Sequence, residues 1–367
     1  MPLFPPPSCP RLVVKIGSAL LVDVDGGVRR EWLAGIAADV AARGREGQQV
    51  AIVSSGAIAL GARRLRLPKG GRASLEDAQA AAATGQIALS QVWAEVLGAH
   101  GLTAAQMLVT LDDLEDRRRY LNASATIDRL LGLGVVPVIN ENDSVATEEI
   151  RFGDNDRLAA RVAQAAGAQG VVLLSDVDGL YDSDPHANPA ARLIERVETI
   201  DATILSFASA GSGSGMGSGG MRSKLEAARI ATAAGIALAI ANGRRDRPLQ
   251  HDDGTLFVAQ RGASPRKAWL AGRLTVRGSI SVDAGAARAL QSGSSLLAAG
   301  ATEVDGRFAR GDVVDILHDG RPVARGLAEY DADEAARILR TKSDAQAQIL
   351  GYAPRSALVH RDHLVLL

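Results

Sequence analysis

The chain runs to 367 residues, more than one ordinary hydrophobic core accommodates, so two domains are expected. A hydrophobic share of 47% and a charged share of 23% mark a globular protein, and aromatics at 3% leave its core to aliphatic side chains and close backbone packing. The formal net charge of -1 argues against binding polyanions by bulk electrostatics, and a single cysteine, Cys9, excludes an intrachain disulfide and a cysteine-based zinc site.

Met1–Pro10 holds five prolines and no apolar stretch of signal-peptide type, and reads as a disordered tail. No apolar run approaches the roughly 18 residues of a membrane span, so a cytoplasmic location is expected. From Arg11 to about Gly243, apolar runs alternate with helical stretches. The strand candidates are Leu12–Ile16, Gln49–Val53, Ala105–Val109, Val135–Ile139, Val171–Leu174 and Ile236–Ile240. Each is a continuous apolar run, as parallel strands buried on both faces require. Amphipathic segments lie between them, among them Glu31–Arg43, Asn155–Ala166 and Lys224–Ala234. Repeated βα units imply a mainly parallel sheet covered by helices on both sides.

The polar residues that end these runs carry the candidate chemistry. Val13-Val14-Lys15-Ile16-Gly17-Ser18 is a buried strand entering a Gly-Ser turn. In open α/β sheets ligands sit beyond the carboxyl ends of the strands. Lys15 would supply a point charge for a phosphate, and the turn at Gly17 would present backbone N–H groups to an anion. The plain alternative is a solvated lysine at a strand end. Val53-Ser54-Ser55-Gly56-Ala57 lets backbone approach a ligand closely and aims the next helix at an anion, unless the serines only cap that helix.

Asn140-Glu141-Asn142-Asp143-Ser144-Val145, followed by Gly153-Asp154-Asn155-Asp156, is denser in polar residues than a simple connection needs. Asn and Asp side chains can bind the ammonium of a small polar substrate. Asp156 could hold two lysines by charge pairing; the alternative is Asx-turn chemistry with an N-cap. Leu173-Leu174-Ser175-Asp176-Val177-Asp178-Gly179-Leu180-Tyr181 is a strand end that could line a nucleotide pocket or simply turn. The stretch Gly211–Lys224 is rich in Gly and Ser, which ordinarily means a linker. It runs directly into a helix at Met221-Arg222-Ser223-Lys224, the arrangement that cradles phosphates, although it lacks P-loop spacing.

Periodicity fades over residues 244–277, and from Ser279 the style changes to short strands at Ser279–Val282 and Asp312–Ile316 with turns at Asp305-Gly306 and Asp319-Gly320. The expected division is a tail over 1–10, a catalytic domain over 11–260, a linker over 261–277 and a small, mostly β domain over 278–367. The six histidines, His100, His186, His251, His318, His360 and His363, all fall outside the motifs. Phosphoryl transfer to a hydroxyl usually wants a base, whereas a carboxylate, with a pKa of about 4.3, is already ionised at pH 7. The missing base is therefore consistent with a carboxylate as acceptor.

Taken in order, Lys15-Ile16-Gly17-Ser18, Ser54-Ser55-Gly56-Ala57, Leu174-Ser175-Asp176-Val177-Asp178-Gly179 and Gly219-Gly220-Met221-Arg222-Ser223-Lys224 resemble the amino acid kinase family. Asn140–Val145 with Gly153–Asp156 resembles the branch of that family that acts on glutamate. The resemblance implies a three-layer α/β/α sandwich with a mainly parallel sheet. It implies ATP-dependent phosphorylation of the side-chain carboxylate of L-glutamate, the first step of proline biosynthesis, with Mg²⁺. It assigns Lys15 and Lys224 to the transferring phosphoryl group and Asp156 to their orientation. Ser55, Gly56, Asp143 and Asn155 would hold glutamate. Lys15, Gly17, Ser175, Asp176 and the loop Ser218, Gly219, Gly220, Met221, Arg222, Ser223 and Lys224 would bind ATP. No protein metal ligand is implied.

The same resemblance implies proline as feedback inhibitor, a homo-oligomer (dimer or tetramer) and glutamate-5-semialdehyde dehydrogenase as a partner that takes the labile acyl phosphate. The stretch beginning Gly278-Ser279-Ile280-Ser281-Val282-Asp283, with Ser294–Leu297, Gly311-Asp312 and Ala324–Leu327, resembles a PUA domain, a fold found in RNA-modifying enzymes. Its basic and acidic residues balance, so a regulatory or structural role is expected over RNA binding. Ser175, Ser218 and Ser223 stand where Thr is common in the family, which keeps the hydroxyl. The rival readings are a family member acting on aspartate, N-acetylglutamate, carbamate or UMP, an RNA-binding protein, and a catalytically dead sensor.

Overall fold

The computed structural model describes residues 3–22, 27–145, 155–185, 187–208, 220–260, 276–352, 355 and 357–367. The chain divides into two compact units, Met1–Gln260 and Arg261–Leu367. In the first, the apolar runs become strands β1 (Arg11–Ile16), β2 (Gln49–Ser54), β3 (Ala104–Val109), β4 (Val136–Glu141), β5 (Gly170–Ser175), β6 (Arg196–Val197), β7 (Ala237–Asn242) and β8 (Thr255–Phe257). They form one eight-stranded sheet in the order β3-β4-β2-β1-β5-β7-β8-β6. Every pairing is parallel except β7 with β8.

Two cores flank this sheet, because successive side chains of a strand point to opposite faces. Val13 of β1 enters one core, with Leu158 and Val162 of helix Asn155–Ala166 and Leu225 and Ala228 of helix Met221–Ala233. Leu12, Val14 and Ile16 enter the other, with Leu33 and Ile36 of helix Arg30–Arg45 and Leu89 and Trp93 of helix Leu75–Gly98. The result is a three-layer α/β/α arrangement, as the sequence leads one to expect. Lys15 shares the face of Val13 and so meets the first pair of helices. Strand β1 lies between β2 and β5, where the winding of the sheet changes direction, and in such folds ligands bind beyond the carboxyl ends at that point.

The expectation of a disordered proline-rich tail is wrong for residues 3–10. Cys9 is 2% exposed, and its burial pushes the thiol up to about 11, partly offset by the Arg43 guanidinium. The buried Arg43 donates to the Leu3 and Phe4 carbonyls at 3.1 and 3.0 Å, and Gln48 donates to the Phe4 and Cys9 carbonyls. The ring of Phe4 lies where a side chain at Gly170 would stand, 2.7 Å from an ideal Cβ. Composition misleads here for a physical reason. Proline lacks an N–H, so such a segment has few donors to satisfy, and its carbonyls are met by side chains some forty residues away, Arg43 near the end of a helix and Gln48 just before β2.

The second unit holds β9 (Gly278–Val282), β10 (Ala301–Gly306), β11 (Val313–His318), β12 (Arg321–Ala328) and β13 (Val359–Leu366), in the order β10-β9-β11-β12-β13. Only β9 with β11 is parallel. Asp319-Gly320 closes the β11–β12 hairpin with both residues at positive φ, 49° and 73°, the turn such dipeptides favour. Asp305-Gly306, expected as a turn, instead ends β10 paired with β9.

Candidate active site

The parallel strands deliver their polar ends to one edge of the sheet. Lys15, next to last in β1, is 7% exposed. Its Nζ lies 2.6 Å from Asp156 Oδ1. Asp156 sits in the first turn of helix Asn155–Ala166, and its Oδ2 receives Lys224 Nζ at 3.0 Å from the first turn of helix Met221–Ala233. The three groups together carry one net positive charge. Burial would raise the Asp156 pKa, but the two ammonium groups outweigh that and hold it below the ordinary carboxylate value. Helix Asn155–Ala166 is itself pinned by a buried ion pair, Arg161 to Glu115 at 3.3 Å.

A second cluster adjoins the first through the neighbouring residue. Asn155 is 3% exposed and donates its Nδ2 to Ser55 Oγ at 2.8 Å and to Asn140 Oδ1 at 3.1 Å. Ser55 follows β2, and Gly56 takes φ 100°, a left-handed conformation that glycine adopts without cost, before helix Ala57–Arg64 begins. Asp143, beyond the end of β4, is 7% exposed; desolvation pushes its carboxyl up to about 6, with Arg72 pulling the other way. Two buried acceptors here, Asp143 Oδ1 and Asn155 Oδ1, have no hydrogen-bond partner among the described residues. Unsatisfied buried acceptors are costly, and a donor from a ligand removes that cost.

At the ends of β5 and β7, Ser175 and Asn242 lie side by side in register. Ser175 Oγ donates to Asp176 Oδ1 at 3.2 Å, and Arg244 Nη2 lies 3.8 Å from Asp176 Oδ2. Asn242 Nδ2 and the Tyr181 hydroxyl both donate to Asp178, at 2.7 and 3.1 Å. Gly220 stands at the N-cap of helix Met221–Ala233 and, having no side chain, supplies no cap of its own. Arg222 points outward at 88% exposure and lies 3.6 Å from Glu226. Ser218, Gly219 and the Gly153-Asp154 pair lie outside the described residues. The N–H of Gly17 is donated to the Leu174 carbonyl at 3.4 Å, so the anion-facing donor expected at that turn is already engaged.

The structure thus brings Lys15, Asp156 and Lys224 together, and separately Ser55 and Asn155 with Asn140, while Asp143 lies buried three residues beyond Asn140. It adds residues that reasoning from sequence missed: Gln86 behind Asn140, Trp93 behind Ser54, and Asn242 beside Ser175. Asn242 carried a signal, a polar residue closing an apolar strand. Gln86 and Trp93 carried none, since both read as ordinary members of an Ala-rich helix.

Residues 10–242 match the amino acid kinase family and residues 278–350 match the PUA domain, so the chain belongs to the amino acid kinase family. Among its relatives, a protein of Sphingopyxis alaskensis named glutamate 5-kinase is 74% identical over 372 residues, covering all of both chains. A glutamate 5-kinase of Zymomonas mobilis is 62% identical over 370 residues, covering 100% of this chain and 93% of its own. A carbamate kinase from Giardia lamblia, solved with AMP-PNP, superposes with a TM-score of 0.51 at 16% identity over 68% of this chain and 98% of its own; it speaks for the fold alone. No helix among the described residues is long and apolar enough to cross a membrane.

Proposed function

We infer that the chain transfers the γ-phosphoryl group of ATP to the side-chain carboxylate of L-glutamate, forming L-glutamyl 5-phosphate and ADP. The observation that carries this reading is the adjacency of the two clusters. Asn155 and Asp156 are consecutive, so one helix start serves both a net-cationic centre and an unsatisfied acceptor, the Asn155 oxygen, with the buried Asp143 carboxyl beyond β4 offering a second. The acceptors suit the ammonium of an amino acid. The lysines suit a phosphoryl group in transit. The full-length likeness to proteins named glutamate 5-kinase supports the same substrate.

The chemistry asks for little beyond positioning. Glutamate's carboxylate is ionised and needs no base. Its approach to a triphosphate brings two anions together, and that repulsion is what the site must offset. Lys15 and Lys224 meet the charge on the transferring group, and Asp156 holds their Nζ atoms toward one point. Ser55, Asp143 and Asn155 hold glutamate, with Gly56 permitting close backbone approach. Ser175, Asp176 and the stretch Ser218–Lys224 bind ATP. Mg²⁺ would be held chiefly by the nucleotide: among the described residues no group of three or more His, Cys, Asp or Glu is placed to hold an ion, and Mg²⁺ commonly rides on substrate phosphates. When bound it would neutralise phosphate charge.

The reading places the chain in the cytoplasm at the first step of proline biosynthesis, with proline as feedback inhibitor, a dimer or tetramer as its assembly, and glutamate-5-semialdehyde dehydrogenase as the consumer of its product. The test is ADP release from Mg-ATP with glutamate, aspartate, N-acetylglutamate, carbamate and UMP, with hydroxylamine to trap an acyl phosphate. Glutamate-dependent ADP release with a hydroxamate product is expected. Turnover on another acceptor alone would overturn the substrate assignment.

A further inference from the structure

Behind the substrate cluster lies a ladder of amides whose orientation is fixed from both ends. At one end, the backbone N–H of Glu141 donates to Asn140 Oδ1 at 2.9 Å. A backbone N–H can only donate, so the oxygen of Asn140 must stand on that side and its Nδ2 on the other. That Nδ2 donates to Gln86 Oε1 at 2.8 Å. At the other end, Ser90 spends its own hydrogen on the Gln86 carbonyl at 2.8 Å and offers its lone pairs to Gln86 Nε2 at 3.3 Å. Both ends therefore demand that Gln86 turn its oxygen to Asn140. Asn140 Oδ1 in turn accepts from Asn155 Nδ2 at 3.1 Å. The nitrogen of Asn155 is committed to Asn140 and Ser55 and, at 3.5 Å, to the Ser54 backbone carbonyl, and its oxygen is left as one of the two unsatisfied acceptors.

Gln86 reaches this ladder because its helix comes unusually close. An ideal Cβ at Gly85 would stand 1.8 Å from the Ala57 carbonyl oxygen, and one at Gly61 would stand 1.7 Å from that of Ala81. Helices Ala57–Arg64 and Leu75–Gly98 therefore touch backbone to backbone, and the residue after Gly85 lies 8% exposed against the end of β4. Gln86 does not belong to the polar clusters at the strand ends, yet it is bonded to one of them.

We propose that Gln86 is a positioning residue for substrate recognition: through Asn140 it fixes the amide of Asn155 so that the Asn155 oxygen faces the ligand, and so makes the site select acceptors that carry a free ammonium. This rests on the reading of Ser55, Asp143 and Asn155 as the seat of glutamate. Without the Gln86 acceptor, Asn140 loses the partner of its Nδ2 and is held only through its oxygen by the Glu141 N–H, so the acceptor it offers to the Asn155 amide is less firmly placed. An Asn155 amide that shifts from its place presents its oxygen less well to an ammonium, which weakens recognition of that group without abolishing the site.

The test compares glutamate with glutarate, which keeps both carboxylates and lacks the ammonium. Hydroxamate formation would be measured for the full chain, Gln86→Met and Gln86→Glu, with nucleotide affinity measured alongside. Gln86→Met is expected to lower the ratio of kcat/KM for glutamate over glutarate by about tenfold or more, through KM for glutamate, with nucleotide affinity unchanged. Gln86→Glu keeps an acceptor toward Asn140 and is expected to hold the ratio within about threefold. A purely structural role would depress both acceptors alike, and an unchanged ratio in Gln86→Met would overturn the proposal while leaving the glutamate assignment standing. If Gln86→Met also loses nucleotide, Gln86→Glu decides: a retained ratio supports the ladder and a lost one sinks it. Failure of the unaltered chain to use glutamate would instead remove the reading beneath it.

Discussion

The two clusters that share the start of helix Asn155–Ala166 solve opposite problems. The Lys15–Asp156–Lys224 centre is charged and held by ion pairs of 2.6 and 3.0 Å. The Ser55–Asn140–Asn155 cluster is neutral and held by amide hydrogen bonds; the Asn155 oxygen in it and Asp143 Oδ1, nearby in sequence, are unmet acceptors. The first spends its own carboxylate on keeping like charges together, so it can act on a transition state without reorganising. The second leaves its cost to be removed by a ligand, so it acts on binding. The contrast predicts that substitutions in the first change kcat and those in the second change KM.

The largest effect should follow from removing a lysine. Lys224→Ala is expected to lower kcat by about 100- to 1000-fold while KM for glutamate moves little, because its charge is needed most as the phosphoryl group transfers. Steady-state ADP release at varied glutamate reads both constants. A wild-type kcat would break the comparison at its root. Asp156→Asn attacks the same centre from the anionic side. It leaves two ammonium groups buried without their counter-ion, and removing one partner of a buried pair typically costs about 3–5 kcal/mol. Urea unfolding of the unliganded protein should show a loss of that order.

Asp143→Asn should do the reverse in both respects. KM for glutamate is expected to rise about tenfold or more with kcat within a few-fold, as the ammonium loses a charged acceptor. Stability at pH 8 should rise, because a buried carboxyl raised to about 6 is costly when ionised. The sign follows from the direction of the shift. The folded pKa lies above the unfolded value, so the penalty is absent below about pH 4, grows between the two values and is complete above about 6. Glutamate binding wants the anion, so KM for glutamate should climb as pH falls through about 6, and Asp143→Asn should flatten that limb. A flat limb in the unaltered chain would separate Asp143 from the substrate.

How far each cluster can be read from sequence follows from what holds it. Lys15, Asp156 and Lys224 are legible because they stand in order where apolar strands end and helices begin, although singly each reads as a solvated lysine or a helix cap. The strand runs are legible because both faces of the sheet are buried. The amide ladder is not legible. Its key contact joins Gln86 and Asn140 across 54 positions, and it depends on Gly61 and Gly85 letting two helices touch, which a run of small residues does not signal. The packed start of the chain is hidden for a related reason: its partners, Arg43 and Gln48, lie some forty residues away and supply hydrogen bonds that composition cannot show.

The smallest effect tests where the ladder stops. Trp93 Nε1 donates to Ser54 Oγ at 3.0 Å, and Ser54 neighbours Ser55 in sequence and is fully buried. Ser54 Oγ, however, has no part in orienting Asn155, whose nitrogen goes to Ser55 Oγ, Asn140 Oδ1 and, at 3.5 Å, the Ser54 backbone carbonyl, which alanine keeps. Ser54→Ala leaves a buried indole N–H without its acceptor, at a cost of about 1–3 kcal/mol. Stability should fall by that amount while KM for glutamate changes less than about threefold. Urea midpoints and KM measured on the same preparation distinguish the two. A large rise in KM with little loss of stability would mean that recognition runs through the serine pair rather than through the amides, and the boundary drawn between the clusters and their scaffold would have to move.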